Sequence, residues 1–243
     1  MTESQRASQD NIRQNISRGA GAAWPVFFGY IPLGLAFGVI ARNAGLQPWQ
    51  IGIMSVALFA GSAQFIAASM LSAGAGFASI IITTLAVNLR HFLMSSSLSV
   101  YLGNVSKRLL SLFAYGVTDE TFAVNLIKFR GGSWSFSSAL TVNHVSNFSW
   151  VASTIAGGYV GEFIPEGAFG IDYALVAMFI GLLSMQLRGR KYVLTALCSG
   201  VLAVVFSLLL PGNFYIMAAS MAAATGGVLI LRKIRQVAQN ERA

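Results

Sequence analysis

Eight apolar stretches, at 22–41, 50–72, 76–100, 109–127, 137–160, 172–187, 192–210 and 213–231, take up most of this 243-residue chain. Most reach or approach the ~20 residues that carry a helix across the hydrocarbon core of a bilayer. Between them the chain is sparing with charge: 10% of residues are charged, against about 25% in soluble domains. That pairing excludes a disordered chain, a disulfide-stapled secreted module and an ordinary cytosolic enzyme. The lone Cys198 leaves no disulfide framework. The expected fold is all-α: a polytopic helical membrane protein with about eight hydrophobic segments in the lipid bilayer.

The net charge is +8. The basic residues form no stripe with interleaved aromatics, so no nucleic-acid partner is expected. They cluster between apolar blocks, as the positive-inside rule requires. Residues 1–20 read as a cytoplasmic polar segment, 21–231 as a single transmembrane bundle and 232–243 as a cytoplasmic basic tail. The polar start lacks the apolar core of a signal peptide, so the first block reads as an uncleaved signal anchor.

Eight simple crossings place both termini in the cytoplasm. Most Lys and Arg then fall inside, including Arg6, Arg13, Arg18, Lys128, Arg130, Arg188, Arg190, Lys191, Arg232, Lys233 and Arg235. Lys107 and Arg108 fall on the wrong side. Both move inside if the third and fourth blocks are broken or re-entrant, near Arg90 and Asp119, which leaves six full crossings. Irregular backbone at that depth is tolerated only within protein or beside a water cavity.

Pro25 and Pro32 predict a kinked or unwound first helix. Gly34 and Gly38 have the spacing that lets helices pack closely, and so do Gly157 and Gly161. The small-residue run 218–227 is expected to face a neighbouring helix or subunit.

The chemistry concentrates in blocks two to five. Arg90 within an apolar helix costs about 2.5–3.5 kcal/mol unless it is paired or hydrated. Asp119 and Glu120 are its expected partners. A plain ion pair between helices would satisfy it; intramembrane charges more often serve function. Asn88, His91 and Ser95 share a helix face, as do Thr118, Thr121 and Asn125. Asp119 and Glu120 point about 100° apart on a regular helix. Asn143 and Asn147 are one turn apart and suit either substrate contact or hydrogen bonds between helices, worth about 0.6 kcal/mol each. Gly61 and Ser62 precede a buried amide, Gln64, where a ligand could approach the backbone closely.

This set suits a small zwitterion. Arg90 offers a site for a carboxylate, and Asp119 or Glu120 one for an ammonium. Phe27, Phe28, Tyr30 and Phe65 would line an apolar pocket. His91 and Glu120 are candidate proton carriers. No metal site and no cofactor are expected.

Four ordered motifs carry a resemblance. Gly29-Tyr30-Ile31-Pro32-Leu33-Gly34-Leu35-Ala36-Phe37-Gly38, Ala60-Gly61-Ser62-Ala63-Gln64-Phe65, Asn88-Leu89-Arg90-His91 and Gly116-Val117-Thr118-Asp119-Glu120-Thr121-Phe122-Ala123 resemble those of the AzlC family in sequence, order and spacing. Asn88 departs from the acidic residue of some relatives. The resemblance implies a bacterial inner-membrane subunit that exports leucine, isoleucine, valine and analogues. It also implies a small AzlD-like membrane partner of about four helices. No P-loop is present, so a secondary exporter driven by the proton motive force fits better than an ATP-driven one.

Two other classes compete. An intramembrane serine protease would use Ser62 with His91 or His144 as base. A channel or purely structural subunit would need a continuous polar path or none, whereas the polar residues here suggest one site at mid-depth.

Overall fold

The computed structural model describes residues 3–103, 105–164 and 190–209, with scattered residues between 170 and 187 and between 222 and 226. The chain divides into two compact units, residues 1–176 and 177–243. Among the described residues the secondary structure is helical and free of strands. The first unit holds α1 (Glu3–Asn43), α2 (Pro48–Ala57), α3 (Gly61–Ser72), α4 (Phe77–Ser99), α5 (Lys107–Tyr115), α6 (Asp119–Arg130) and α7 (Phe136–Val160). The second holds α8 (Arg190–Leu209). Half of the sixth apolar block, nearly all of the eighth and most of the small-residue run 218–227 lie outside the described residues.

The axis of the first unit is the pair α1 and α7, which share its most extensive interface. They run parallel. Ser138 donates to the carbonyl of Asn15 at 2.9 Å, Ser149 to that of Phe27 at 2.6 Å, and Ser153 to that of Tyr30 at 3.2 Å. Arg42 meets Glu162 at the far end, at 3.3 Å. Glycine permits this closeness. A Cβ on Gly38 would strike the backbone of Thr154, Gly157 and Gly158, and one on Gly157 would strike the backbone of Leu35. The predicted glycine spacing is therefore a real packing seam. α1 begins at Glu3, well before the apolar block. It stays helical through Pro25 and Pro32, so of the two expectations for this helix the unwound one does not hold. Both prolines are exposed on the side turned from α7, where a ring and a missing N–H disturb the packing least.

The second apolar block is two helices. α2 and α3 have 10 and 12 residues, so each spans about 15–18 Å, half of the ~30 Å hydrocarbon core. α2 runs antiparallel to α7: Pro48 and Ile51 lie at Gly158, Gly52 at Ile155, and Ser55 at Thr154. After the break at Leu58–Ala60, α3 starts beside Trp150 and climbs back along α1, with Phe65 packed on Phe37 at 5.3 Å. Gln64 of α3 then reaches Ser55 of α2 at 3.0 Å, which a straight helix pair would not permit. The block is a re-entrant hairpin.

The fourth block is the opposite hairpin. α5 rises from the level of Phe136 to that of Asn147, which donates to the Tyr115 hydroxyl at 3.2 Å. The break at Gly116–Thr118 follows. α6 returns along α7: Thr118 and Glu120 sit at Tyr30, Asn125 at Asn143, and Phe129 in a cluster with Leu98, Leu102, Phe113 and Ala139. Phe129 stacks on Tyr101 at 5.3 Å, so α6 ends where α4 ends and α5 begins.

Of the two blocks expected to be interrupted, the fourth is, beside Asp119. The third is not: α4 is one unbroken 23-residue helix carrying Arg90. No proline or glycine lies within it to free a backbone group, and Arg90 finds its partners through its long side chain.

Several backbone carbonyls freed at the breaks are satisfied internally, as the membrane interior demands. The Val56 carbonyl accepts from the Tyr115 hydroxyl of the other hairpin. The Phe113 carbonyl accepts from Asn143 at 2.9 Å and that of Gly116 from Thr121 at 2.9 Å. Thr118 and Thr121 also cap α6 reciprocally.

Candidate functional site

The two hairpin tips meet at the middle of α1. Phe59 of the first tip packs edge-on against Tyr30 at 6.0 Å and lies 6.4 Å from Tyr115, which precedes the second tip. Arg90 reaches in from α4 and touches both hairpins. It donates to the Ser62 hydroxyl at the start of α3 and pairs with Asp119 of α6 at 3.0 Å. Side-chain exposures of 30% for Arg90 and 22% for Asp119 leave this pair approachable from outside the bundle. Arg90 thus bridges α3 and α6 across the break in each block.

Glu120 turns away from Arg90, as the 100° offset on α6 requires. Its Oε2 accepts from the Tyr30 hydroxyl at 2.7 Å, and that hydroxyl also lies 2.7 Å from Thr118 Oγ1. Two carboxylates in the first turn of α6 sit at the positive end of its dipole, a favourable place for negative charge. His91 lies against the backbone at Val117, near Arg90 and Glu120, and its Nε2 is buried without a partner. Asn88 Oδ1 is likewise buried and unpartnered.

The structure therefore gathers Ser62 and Asp119 on Arg90, and Thr118 and Glu120 on Tyr30, two clusters joined through the neighbouring Asp119 and Glu120, with His91 at their edge. The remaining amides hold the scaffold. Gln64, fully buried, accepts from Trp150 Nε1 at 2.7 Å and donates to Ser55, which also accepts from Thr154 at 2.9 Å. Asn143 accepts from Asn125 at 3.0 Å, and Asn125 accepts from Trp134 at 3.0 Å. Asn147 is tied to Tyr115. Gly61 lies against the Trp150 ring, where a Cβ would come within 3.0 Å.

Tyr30 was visible in sequence only as pocket lining. Its signal was that it is the one tyrosine in the first apolar block, two residues before Pro32. Trp150 and Tyr115, which tie the hairpins to α7 and to each other, carried no comparable mark.

A helical membrane protein with a charged site held between two opposed broken helices has the construction of a membrane transporter. Comparison with known proteins places it further. The chain matches the AzlC protein family over residues 25–164, which contain every helix of the first unit from mid-α1 through α7. It is 32% identical to the branched-chain amino acid transport protein AzlC of Bacillus subtilis (strain 168), over 86% of this chain and 82% of that one. It is 31% identical to the inner membrane protein YgaZ of Escherichia coli (strain K12), over 79% and 82%. An uncharacterized membrane protein of Helicobacter pylori (strain J99) is 28% identical over 86% and 91%. No solved structure matches. The chain belongs to the AzlC family, and its role is in membrane transport.

Proposed function

We propose that this chain exports leucine, isoleucine, valine and related analogues across the bacterial inner membrane. It works as a secondary transporter driven by the proton motive force, together with a small AzlD-like membrane subunit. The observation that carries the reading is the convergence of Arg90, Asp119 and Glu120 between the two hairpin tips. The name of the Bacillus relative, a branched-chain amino acid transport protein, points to the substrate class.

The substrate carboxylate is met by Arg90 and by the amides opening α3, which no side chain caps. The ammonium is met by Glu120. Export against an inward proton gradient needs proton and substrate to exclude one another, and a single carboxylate does this. It holds an ammonium when charged and releases it when a proton arrives. Aromatic and aliphatic groups around Tyr30, such as Phe59, face an apolar side chain and discriminate by size.

Opposed hairpins also support a topology. With α1 entering from the cytoplasm, the second hairpin opens to the same side, so Lys107, Arg108, Lys128 and Arg130 all lie inside. Six full crossings return the C-terminus to the cytoplasm.

The test is efflux of preloaded labelled leucine, valine and isoleucine from cells expressing the chain alone or with its small partner. Faster efflux with the pair, lost in Arg90→Gln at normal membrane levels, supports the reading. Unchanged efflux with both subunits in the membrane refutes the substrate class. Loss of the Arg90→Gln protein from the membrane would make that arginine structural and refute the site.

A further inference from the structure

We propose that Tyr30 is the positioning residue that couples the proton on Glu120 to the hinge of the second hairpin. The proposal rests on Glu120 being the exchanging carboxylate described above. Its geometric basis stands apart from the identity of the substrate.

A phenol has one proton to donate and can accept as well. Tyr30 has two oxygen partners at the same distance, 2.7 Å: Glu120 Oε2 and Thr118 Oγ1. It cannot donate to both. A charged Glu120 only accepts, so Tyr30 donates to it and Thr118 must donate to Tyr30. Glu120 that has taken a proton from water can itself donate. Tyr30 then accepts from Glu120 and turns its own proton to Thr118. The chain continues from there. Thr118 Oγ1 lies 3.3 Å from Thr121 Oγ1, and Thr121 Oγ1 donates to the Gly116 carbonyl at 2.9 Å. One proton on Glu120 therefore turns the Tyr30 and Thr118 hydroxyls round, so that Thr118 donates to Thr121 Oγ1, whose own proton stays on the Gly116 carbonyl at the break between α5 and α6.

The ring itself does not move. Tyr30 is 5% exposed and clamped edge-on between Phe59 of the first hairpin, at 6.0 Å, and Trp150 of α7, at 5.3 Å. Only the hydroxyl proton is free to turn. The same clamp ties the relay to the other hairpin. The titratable groups near Glu120 are Tyr30 from α1, His91 from α4 and Asp119 beside it on α6, while Arg90 of α4 is paired with Asp119. α7 meets α6 through the uncharged Asn143. Of these, Tyr30 is the group hydrogen-bonded to Glu120.

Tyr30→Phe keeps the ring and its packing and removes the relay. The experiment is infrared titration of the purified full-length protein. The carboxylic-acid band that disappears in Glu120→Gln identifies Glu120. In Tyr30→Phe that band should persist to higher pH by about one unit, since the charge-assisted bond lost by the charged form is stronger than the neutral bond lost by the acid form. The double variant should match Glu120→Gln alone. The pH profile of leucine counterflow in vesicles should move by the same amount. A mere packing role would move neither. A band and a profile that coincide with wild type overturn the proposal. If Tyr30→Phe does not accumulate, 3-fluorotyrosine at position 30, a stronger donor, must move the band to lower pH, and an unmoved band overturns it equally. Absence of leucine transport by the wild type would defeat the substrate reading and leave the infrared result to decide this one.

Discussion

Two glycines of α1 allow the packing argument to be tested by one substitution made at two places. Gly29→Ala meets nothing within 4 Å. There the methyl group should stabilise the helix by about 0.5–1 kcal/mol, because alanine loses less backbone freedom. Gly38→Ala instead drives a carbon to 2.5 Å from the Gly158 nitrogen and 2.7 Å from the Gly157 carbonyl carbon. These are backbone atoms and cannot rotate away. α1 and α7 must part by about 1 Å, which forfeits a quarter to half of each dispersion contact along the seam. Parting also stretches the bonds from Ser149 and Ser153 to α1. Overpacking at about 1–3 kcal/mol and two such bonds at about 0.6 kcal/mol each set a loss of roughly 2–4 kcal/mol. Thermal unfolding in detergent, followed by monodisperse protein remaining after heating, should separate the two variants by at least about 5 °C. Equal midpoints for Gly29→Ala and Gly38→Ala would refute the close seam between α1 and α7.

The other predictions concern the hairpins and the ion pair. With Cys198 replaced by serine, cysteines at Lys107 and Arg130 should react with an impermeant maleimide from one side of the membrane, and cysteines at Trp49 and Ala75 from the other; Lys107 and Arg130 labelling from opposite faces would make α5–α6 a crossing. Trp150→Phe leaves the Gln64 oxygen without its donor and should cost about 1–3 kcal/mol in the same thermal assay, with Gln64→Leu added to it recovering part of the loss. Arg90→Gln, at normal membrane levels, should unfold in the thermal assay at a lower temperature than Arg90→Gln with Asp119→Asn, since the single change strands a carboxylate; the partly exposed pair should lose less than the ~3–5 kcal/mol of a fully buried one. Equal midpoints for the single and double variants would show that Asp119 does not depend on Arg90.

Much of this fold was legible because hydropathy and charge report different things. Block boundaries at 50–72, 76–100 and 137–160 fall within a few residues of the helices, since the bilayer sets their length. The pairing of Arg90 with Asp119 followed from the cost of an unpartnered charge. Glu120 taking a different partner followed from the 100° turn between neighbours on α6. What was hidden depends on direction. The break at Leu58–Ala60 contains no proline, glycine or charge, and its neighbouring amide, Gln64, is bound to partners 9 and 86 residues away. Periodicity carries no information about such partners. Tyr30 was hidden for the same reason, because its hydroxyl acts on residues of α6 that the chain brings to it only after folding.

The charges at the ends of the two folded-back blocks held the missing direction. A helix that crosses the membrane under the positive-inside rule collects cations at one end. The block that became α5 and α6 has Lys107 and Arg108 at one end and Lys128 and Arg130 at the other. The block that became α2 and α3 is followed only by Ala73, Gly74, Ala75 and Gly76, and preceded by Gln47; Arg42 belongs to the end of α1 and is paired with Glu162. Cations at both ends, or at neither, are what a hairpin leaves, because its two ends share a side. Hydropathy cannot distinguish one span of apolar residues from two half-spans laid back to back, whereas end charge can. The apparent misplacement of Lys107 and Arg108 is therefore the trace of the second hairpin, and the uncharged ends of the other block are the trace of the first. Their opposed entry brings an uncapped helix start and a doubly acidic one to the same depth, where Arg90 joins them.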